Sequence, residues 1–169
     1  MFRSCSLTSL VKERKMIAGF FGEYRWLSNF WACEVKAKDG TLFHSVEQAY
    51  QWAKFFPGVI RQGDDRSARE AILLCETPAA AKRTARGLQS TVRTDWDDIK
   101  LEVMLRLLRQ KFAISSLKEK LLATGEEELV EANTWGDVFW GVCNGVGENY
   151  LGKLLMQVRN ELKQAEENQ

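Results

Sequence analysis

Ser45-Val46-Glu47-Gln48-Ala49-Tyr50-Gln51-Trp52-Ala53-Lys54 sets the helix around which the rest of the chain is arranged. Ser45 followed three residues later by Gln48 is a capping-box start, and Pro57 closes the segment after Phe55-Phe56. Val46, Ala49, Tyr50 and Ala53 fall on one apolar stripe at helical spacing. Glu47, Gln51 and Lys54 follow the same rule on the other side. That side reads either as a solvated face or as a set of groups with a common target. Glu47 and Lys54 stand about 10 Å apart along the axis at 1.5 Å per residue, too far for an i,i+4 ion pair. A shared target with Gln51 between them fits that spacing, and the neighbouring Trp52, Phe55 and Phe56 argue against a fully wet face.

With 169 residues, 45% hydrophobic and 28% charged, the chain has the size and composition of one soluble domain. Lys+Arg 24 against Asp+Glu 23 leaves a formal charge of +1. No global field therefore draws it to nucleic acid or an anionic membrane, and any such partner must be recognised locally. Cys5, Cys33, Cys75 and Cys143 form no CxxC pair and His44 is the only histidine, which argues against a zinc site. Scattered thiols point to a reducing, cytoplasmic setting. Residues 1–15 read as a flexible leader without an apolar signal core, and no run is long enough for a membrane span.

Ile17 to Phe21 is a short apolar strand candidate. Trp26-Leu27-Ser28-Asn29-Phe30-Trp31 is either a hydrophobic plug or a loop whose aromatics stack on a flat ligand, with Ser28 and Asn29 offering hydrogen bonds. Cys33 to Ala37 and Thr41 to Phe43 flank Lys38-Asp39-Gly40, a hairpin signal. Asp64-Asp65 is expected to open a helix to about Cys75, and Thr77-Pro78 another that Gly87 ends. Lys82, Arg83 and Arg86 on the latter form a basic face, read as solvated in preference to phosphate-binding. Thr94 and Asp97 suggest a capping box before the longest helix, about Asp95 to Phe112. Ser115 or Ser116 starts a further helix closed by Gly125, and Leu129-Val130-Glu131 is a short strand candidate. Trp135-Gly136-Asp137-Val138-Phe139-Trp140-Gly141 joins a lone carboxylate to two indoles and glycines that permit close backbone approach. Before the last amphipathic helix, Gly145-Val146-Gly147-Glu148-Asn149 reads as an N-cap or a phosphate cradle. The expectation is an α+β, mainly α domain over residues 16–163, with a small antiparallel hairpin near the N-terminus, about six helices, and a frayed tail at 164–169.

Taken in order, Trp26-Leu27-Ser28-Asn29-Phe30, Glu47 with Lys54-Phe55, Trp96, Met104, Lys111-Phe112, Leu121 to Gly125, Leu129-Val130-Glu131, Asp137 to Gly141, and Gly147 to Met156 with Arg159 resemble the NADAR family, the YbiA-like group. The resemblance covers roughly Ile17 to Leu162; Trp135-Gly136 before the aspartate departs from the family pattern. It implies a mostly helical N-glycosidase that cleaves a bond between ribose C1′ and nitrogen. The substrates it implies are phosphorylated ribosylamino-pyrimidine intermediates of riboflavin synthesis, or ADP-ribose on guanine in nucleic acid.

On that resemblance Glu47, Lys54 and Asp137 are the expected catalytic residues. Glu47 would activate water or act as acid/base beside C1′. Lys54 would hold a phosphate or attack an opened sugar as a Schiff-base amine. Asp137 would bind sugar hydroxyls or share the proton work. Trp26, Trp140 and Phe30 would sandwich the base, with Ser28, Asn29, Gln51, Gly141 and Asn149 completing a nucleotide-like substrate site. No cofactor or metal is called for. The competing class is a non-catalytic module that binds ADP-ribose or a nucleotide, which would have no need for all three of Glu47, Lys54 and Asp137.

Overall fold

The computed structural model of the chain describes residues 15–58 and 67–168; most of the expected leader and the Asp64-Asp65 pair lie outside the described residues. The order is β1 (Met16–Ala18), β2 (Ala32–Lys36), β3 (Leu42–Ser45), α1 (Val46–Ala53), α2 (Ala68–Leu73), α3 (Pro78–Gly87), α4 (Trp96–Lys111), α5 (Ser115–Ala123), β4 (Glu128–Val130), β5 (Ala132–Asn133), β6 (Val142–Cys143) and α6 (Tyr150–Glu167). It is an α+β fold dominated by helices, with the expected antiparallel β2–β3 hairpin. Gly40 at φ +89 turns that hairpin, where a side chain would be strained.

Helix α1 lies at the centre, packed by α2, α3, α4 and the hairpin. Every residue from Val46 to Trp52 is buried. Its N-terminus forms as the sequence signals, with Ser45 Oγ accepting from Gln48 N–H at 3.1 Å. The reciprocal bond lands one residue earlier, from His44 N–H to Gln48 Oε1 at 3.2 Å. The Gln48 amide then donates to the carbonyls of Ile72, Leu73 and Cys75, filling the acceptors that end α2.

Several boundaries differ from the sequence reading, each for a local reason. Helix α2 opens on Ser67, whose side chain and that of Glu70 make a true capping box, and not on Asp64-Asp65. The Thr94–Asp97 box does not cap α4. Its N-cap is Asp95, which makes no side-chain cap bond because the Arg93 guanidinium grips both carboxylate oxygens at 2.5 and 2.7 Å. The longest described helix is α6, with 18 residues, so 164–167 are helical where a frayed tail is expected. β1 and β4 fall on the strand candidates at Ile17 to Phe21 and Leu129-Val130-Glu131; their parallel pairing, and the parallel β5–β6 pair, escape the sequence reading because strands of two or three residues carry no period.

Two buried cations tie the layers. Lys111, with no exposed surface, donates to the carbonyls of Ser28 at 2.7 Å and Leu27 at 3.3 Å, so α4 fixes the Trp26–Phe30 loop. Burial pushes its ammonium down to about 7. Arg159 on α6 donates to Thr124 Oγ1 and the Glu127 carbonyl, holding the turn before β4. Helix α6 presses on β4 so closely that a Cβ on Gly152 would lie 2.0 Å from the Leu129 carbonyl oxygen. Gly152→Ala is therefore expected to cost about 3 kcal/mol or more by overpacking against backbone that cannot move aside. By calorimetry the melting temperature should fall by roughly 6–12 °C, while Gln157→Ala on the exposed side of α6 stays close to wild type.

Candidate active site

The polar side of α1 does not face water. Glu47 is 5% and Gln51 4% exposed, and both line a cavity of about 690 Å³ with Tyr50 and Lys54. The size suits a nucleotide-like ligand. One wall is Ser28, Asn29 and Phe30; the Asn29 carbonyl accepts from Glu47 N–H at 3.0 Å and so fixes the loop to the start of α1. Helix α3 buries Ala81 and Ala85, which turns Lys82 and Arg86 into the cavity one helical turn apart. The opposite wall is Glu131, Trp135, Asp137 and Trp140.

The electrostatics follow from burial. Gln51 Nε2 donates to Glu47 Oε1 at 2.6 Å. Desolvation raises the Glu47 carboxyl above its ordinary value, opposed by the Lys82 and Lys54 ammoniums and by that hydrogen bond. Burial also lowers Lys54, with Glu47 opposing and Lys82, Arg86 and Lys100 adding to the fall. Its ammonium lies 5.3 Å from the Tyr50 ring centroid. Burial and the Asp137 charge push Glu131 up to about 7, against the pull of Lys82 and Lys111. Glu131 Oε2, Gln51 Oε1 and Asn29 Oδ1 are buried acceptors without a hydrogen-bond partner among the described residues. Such groups cost stability unless a ligand or water supplies a donor.

Asp137 is held by its own loop. Its Oδ1 accepts from Trp140 N–H at 2.9 Å and Phe139 N–H at 3.2 Å. Asn133 brackets its backbone with one bond in each direction.

The cavity thus brings together Glu47, Lys54, Asp137, Gln51, Ser28, Asn29, Phe30 and Trp140 of the expected site. Three expected members lie outside its lining. Trp26 is a core residue, edge-on to Phe112 at 6.1 Å and 76°, so its ring does not stack on a base. Gly141 is pressed against β5's approach, where a Cβ would sit 2.2 Å from the Glu131 carbonyl oxygen. Asn149, at φ 52, spends its amide on the Leu129 carbonyl and the Glu131 N–H and so joins α6 to β4. Conversely, Lys82, Arg86, Tyr50 and Glu131 belong to the cavity and were not singled out. Lys82 and Arg86 were read as part of a solvated basic face; Arg86 is indeed exposed, and their i,i+4 spacing places both along the cavity. For Glu131, one carboxylate in a short strand gave none.

A second cavity of about 470 Å³ flanks α1 on its Ala49–Trp52–Ala53 side. Its Arg69 lies 3.6 Å from the Trp52 ring centroid and donates to the Phe55 carbonyl, and its Arg93 is paired with Asp95. Glu47, Lys54 and Asp137 line the other cavity. Among the described residues no three His, Cys, Asp or Glu side chains come together as a metal site, and no helix is long and apolar enough to cross a membrane.

The model of the NADAR domain matches residues 19–163. A riboflavin biosynthesis protein of Vibrio vulnificus is 40% identical over 141 residues; these are 82% of this chain, which spans only 36% of that longer protein. The N-glycosidase YbiA of Escherichia coli is 36% identical over 142 residues, 83% of this chain and 82% of that one. The solution structure of Escherichia coli YbiA superposes with a TM-score of 0.77 at 32% identity, covering 94% of this chain and 91% of the other.

The titration of Glu131 is open to direct measurement. Its carboxyl ¹³C resonance should titrate with a midpoint close to 7. Removing the like charge with Asp137→Asn should lower that midpoint, and removing the cation with Lys82→Met should raise it. Shifts of the opposite sign would show that other charges govern the group.

Proposed function

The chain belongs to the NADAR family, and from that premise we propose that it is an N-glycosidase that uses Glu47, Lys54 and Asp137 to hydrolyse a ribose C1′–N bond. The observation that carries this reading is the buried Glu47 carboxylate, oriented by Gln51 and facing a cavity that also holds Lys54 and two further cations. Cleavage builds positive charge at C1′ and the ring oxygen, and a fixed carboxylate there stabilises it without reorganising. Glu47 also takes the proton of the attacking water. Asp137 binds sugar hydroxyls through the carboxylate oxygen its loop does not use. Trp140 and Phe30 flank the base.

The substrate class favoured by the relatives' names is a phosphorylated ribosylamino-pyrimidine. Lys82 and Arg86 suit its phosphate, being two cations on adjacent turns of one helix. ADP-ribosylated guanine in nucleic acid is the second reading. Trp135, 65% exposed at the rim, offers a stacking surface beyond what the smaller substrate would cover. A reducing, cytoplasmic setting accords with free Cys33, Cys75 and Cys143.

Lys54 fits a Schiff-base nucleophile better than a phosphate ligand, since burial lowers its pKa and favours the free amine. Incubation with each substrate, read by mass spectrometry, tests the activity. Glu47→Gln should lower turnover by about 10²- to 10⁴-fold with its melting temperature unchanged; a tenth or more of wild-type activity would remove Glu47 from catalysis. Lys54→Arg should be inactive and borohydride should trap an adduct on the Lys54 peptide. An active arginine variant without an adduct would return Lys54 to phosphate binding, because guanidinium offers no free amine.

A further inference from the structure

With Glu47 as the base and Lys54 as a free amine, the leaving nitrogen still needs a proton. Burial raises the Glu47 carboxyl, opposed by Lys82, by Lys54 and by the Gln51 amide, which donates to its Oε1 at 2.6 Å. Glu131 is placed differently. Its Oε2 is buried with no donor to stabilise an anion. Its backbone is clamped on both sides, the N–H on Asn149 Oδ1 at 3.1 Å and the carbonyl on Val142 N–H at 2.9 Å. Gly141 is small enough to let that segment close, since a Cβ there would touch the Glu131 side chain at 3.0 Å. A carboxyl on a backbone held this rigidly, lining the same cavity as Glu47 and with an Oε2 that lacks a donor among the described residues, has the setting of an acid.

Resting on the N-glycosidase reading, we propose that Glu131 is the general acid that protonates the departing nitrogen, while Glu47 serves as the base. The C1′–N bond breaks with its electron pair left on nitrogen, and the Glu131 O–H proton joins that pair. Water oxygen bonds to C1′ and gives its proton to Glu47. The products are the hydroxylated sugar and the free amine; return of one proton from Glu47 to Glu131 through solvent resets the site. Where Lys54 takes C1′ in place of water, the proton required by the leaving group is the same. Two carboxyls in unlike surroundings, one holding an amide donor and one with an unpartnered oxygen, are a recurring solution to this problem. The charges that face Glu131 are Asp137 from the Trp135–Trp140 loop, Lys82 from α3 and Lys111 from α4, and their sum with burial holds the acid form to about pH 7.

The test compares leaving groups on the full chain. One substrate is whichever of the ribosylamino-pyrimidine 5′-phosphate and ADP-ribosylated guanine DNA the wild type turns over. The other is 4-nitrophenyl β-D-ribofuranoside 5-phosphate, whose nitrophenolate departs without a proton. Glu131→Gln should lose about 10²- to 10⁴-fold in kcat on the first substrate with KM within roughly threefold, and stay within about fivefold of wild type on the second. Wild-type kcat on the first should fall as pH rises through about 7, because the acid is lost on deprotonation, with no such fall on the second. A structural effect through Lys111, which titrates in the same range, would appear with both. Glu131→Gln keeping more than a tenth of its activity on the first substrate, or losing both alike, overturns the role of Glu131 alone. Should that variant fail to melt cooperatively, the two wild-type pH profiles decide, and identical profiles overturn the proposal. Absence of wild-type turnover on every substrate overturns the N-glycosidase reading itself, and this inference with it.

Discussion

Burying the polar face of α1 is the constraint on which the rest of the structure depends. Glu47, Gln48 and Gln51 are all within the protein, and a buried carboxylate or amide without partners costs several kcal/mol. Gln48 is satisfied by the chain itself, through three carbonyls at the end of α2 and one N–H from β3. Glu47 and Gln51 are satisfied only by each other, and Gln51 Oε1 by nothing. Unpaired buried acceptors of this kind are retained where a ligand supplies the missing donors. Among the described residues, the buried side-chain acceptors left without a donor, on Asn29, Gln51 and Glu131, all belong to residues that line this one cavity.

The far wall of that cavity is held by backbone closeness rather than by side-chain packing. Gly141 and Gly152 sit where any Cβ would strike a carbonyl, the first against Glu131 and the second against Leu129. Asn149, in the left-handed region, hydrogen-bonds both Leu129 and Glu131. These contacts fix the segment that carries Glu131 while leaving its side chain free to face the cavity. Expecting Gly141 and Asn149 to touch substrate was one step too direct: they position a residue that lines the site.

What the sequence made legible follows from how local each signal is. The centre of the fold was readable because Ser45–Gln48 is a capping pair and the stripe Val46–Ala49–Tyr50 has helical period. The spacing put Glu47 and Lys54 on one face and the ordered resemblance added Asp137; all three line the cavity. Trp26 was misread because an indole beside Ser-Asn looks the same whether it meets a ligand or Phe112 across the core. Glu131 was passed over because its significance lies in contacts with Asn149 and Val142, 18 and 11 residues away, which no local period encodes. Lys111 was noticed only as part of a family motif; its burial under the Leu27 and Ser28 carbonyls is a tertiary fact.

The near-neutral chain can still hold an anion because its cations are gathered where they are needed. Lys54, Lys82 and Arg86 share one cavity, and the latter two, with Lys100, help depress Lys54. An anionic phosphate bound beside Lys54 would reverse that depression and favour its ammonium, which cannot act as a nucleophile. Lys54 can serve as an amine only if the phosphate sits on Lys82 and Arg86 instead. The geometry permits that division, since α3 presents its two cations from a different wall than α1 presents Lys54. On the proposed reading, Lys82 and Arg86 would hold the anionic end of the substrate, while Lys82 also acts on Glu47 and Glu131, so one cation would couple phosphate binding to the carboxyls.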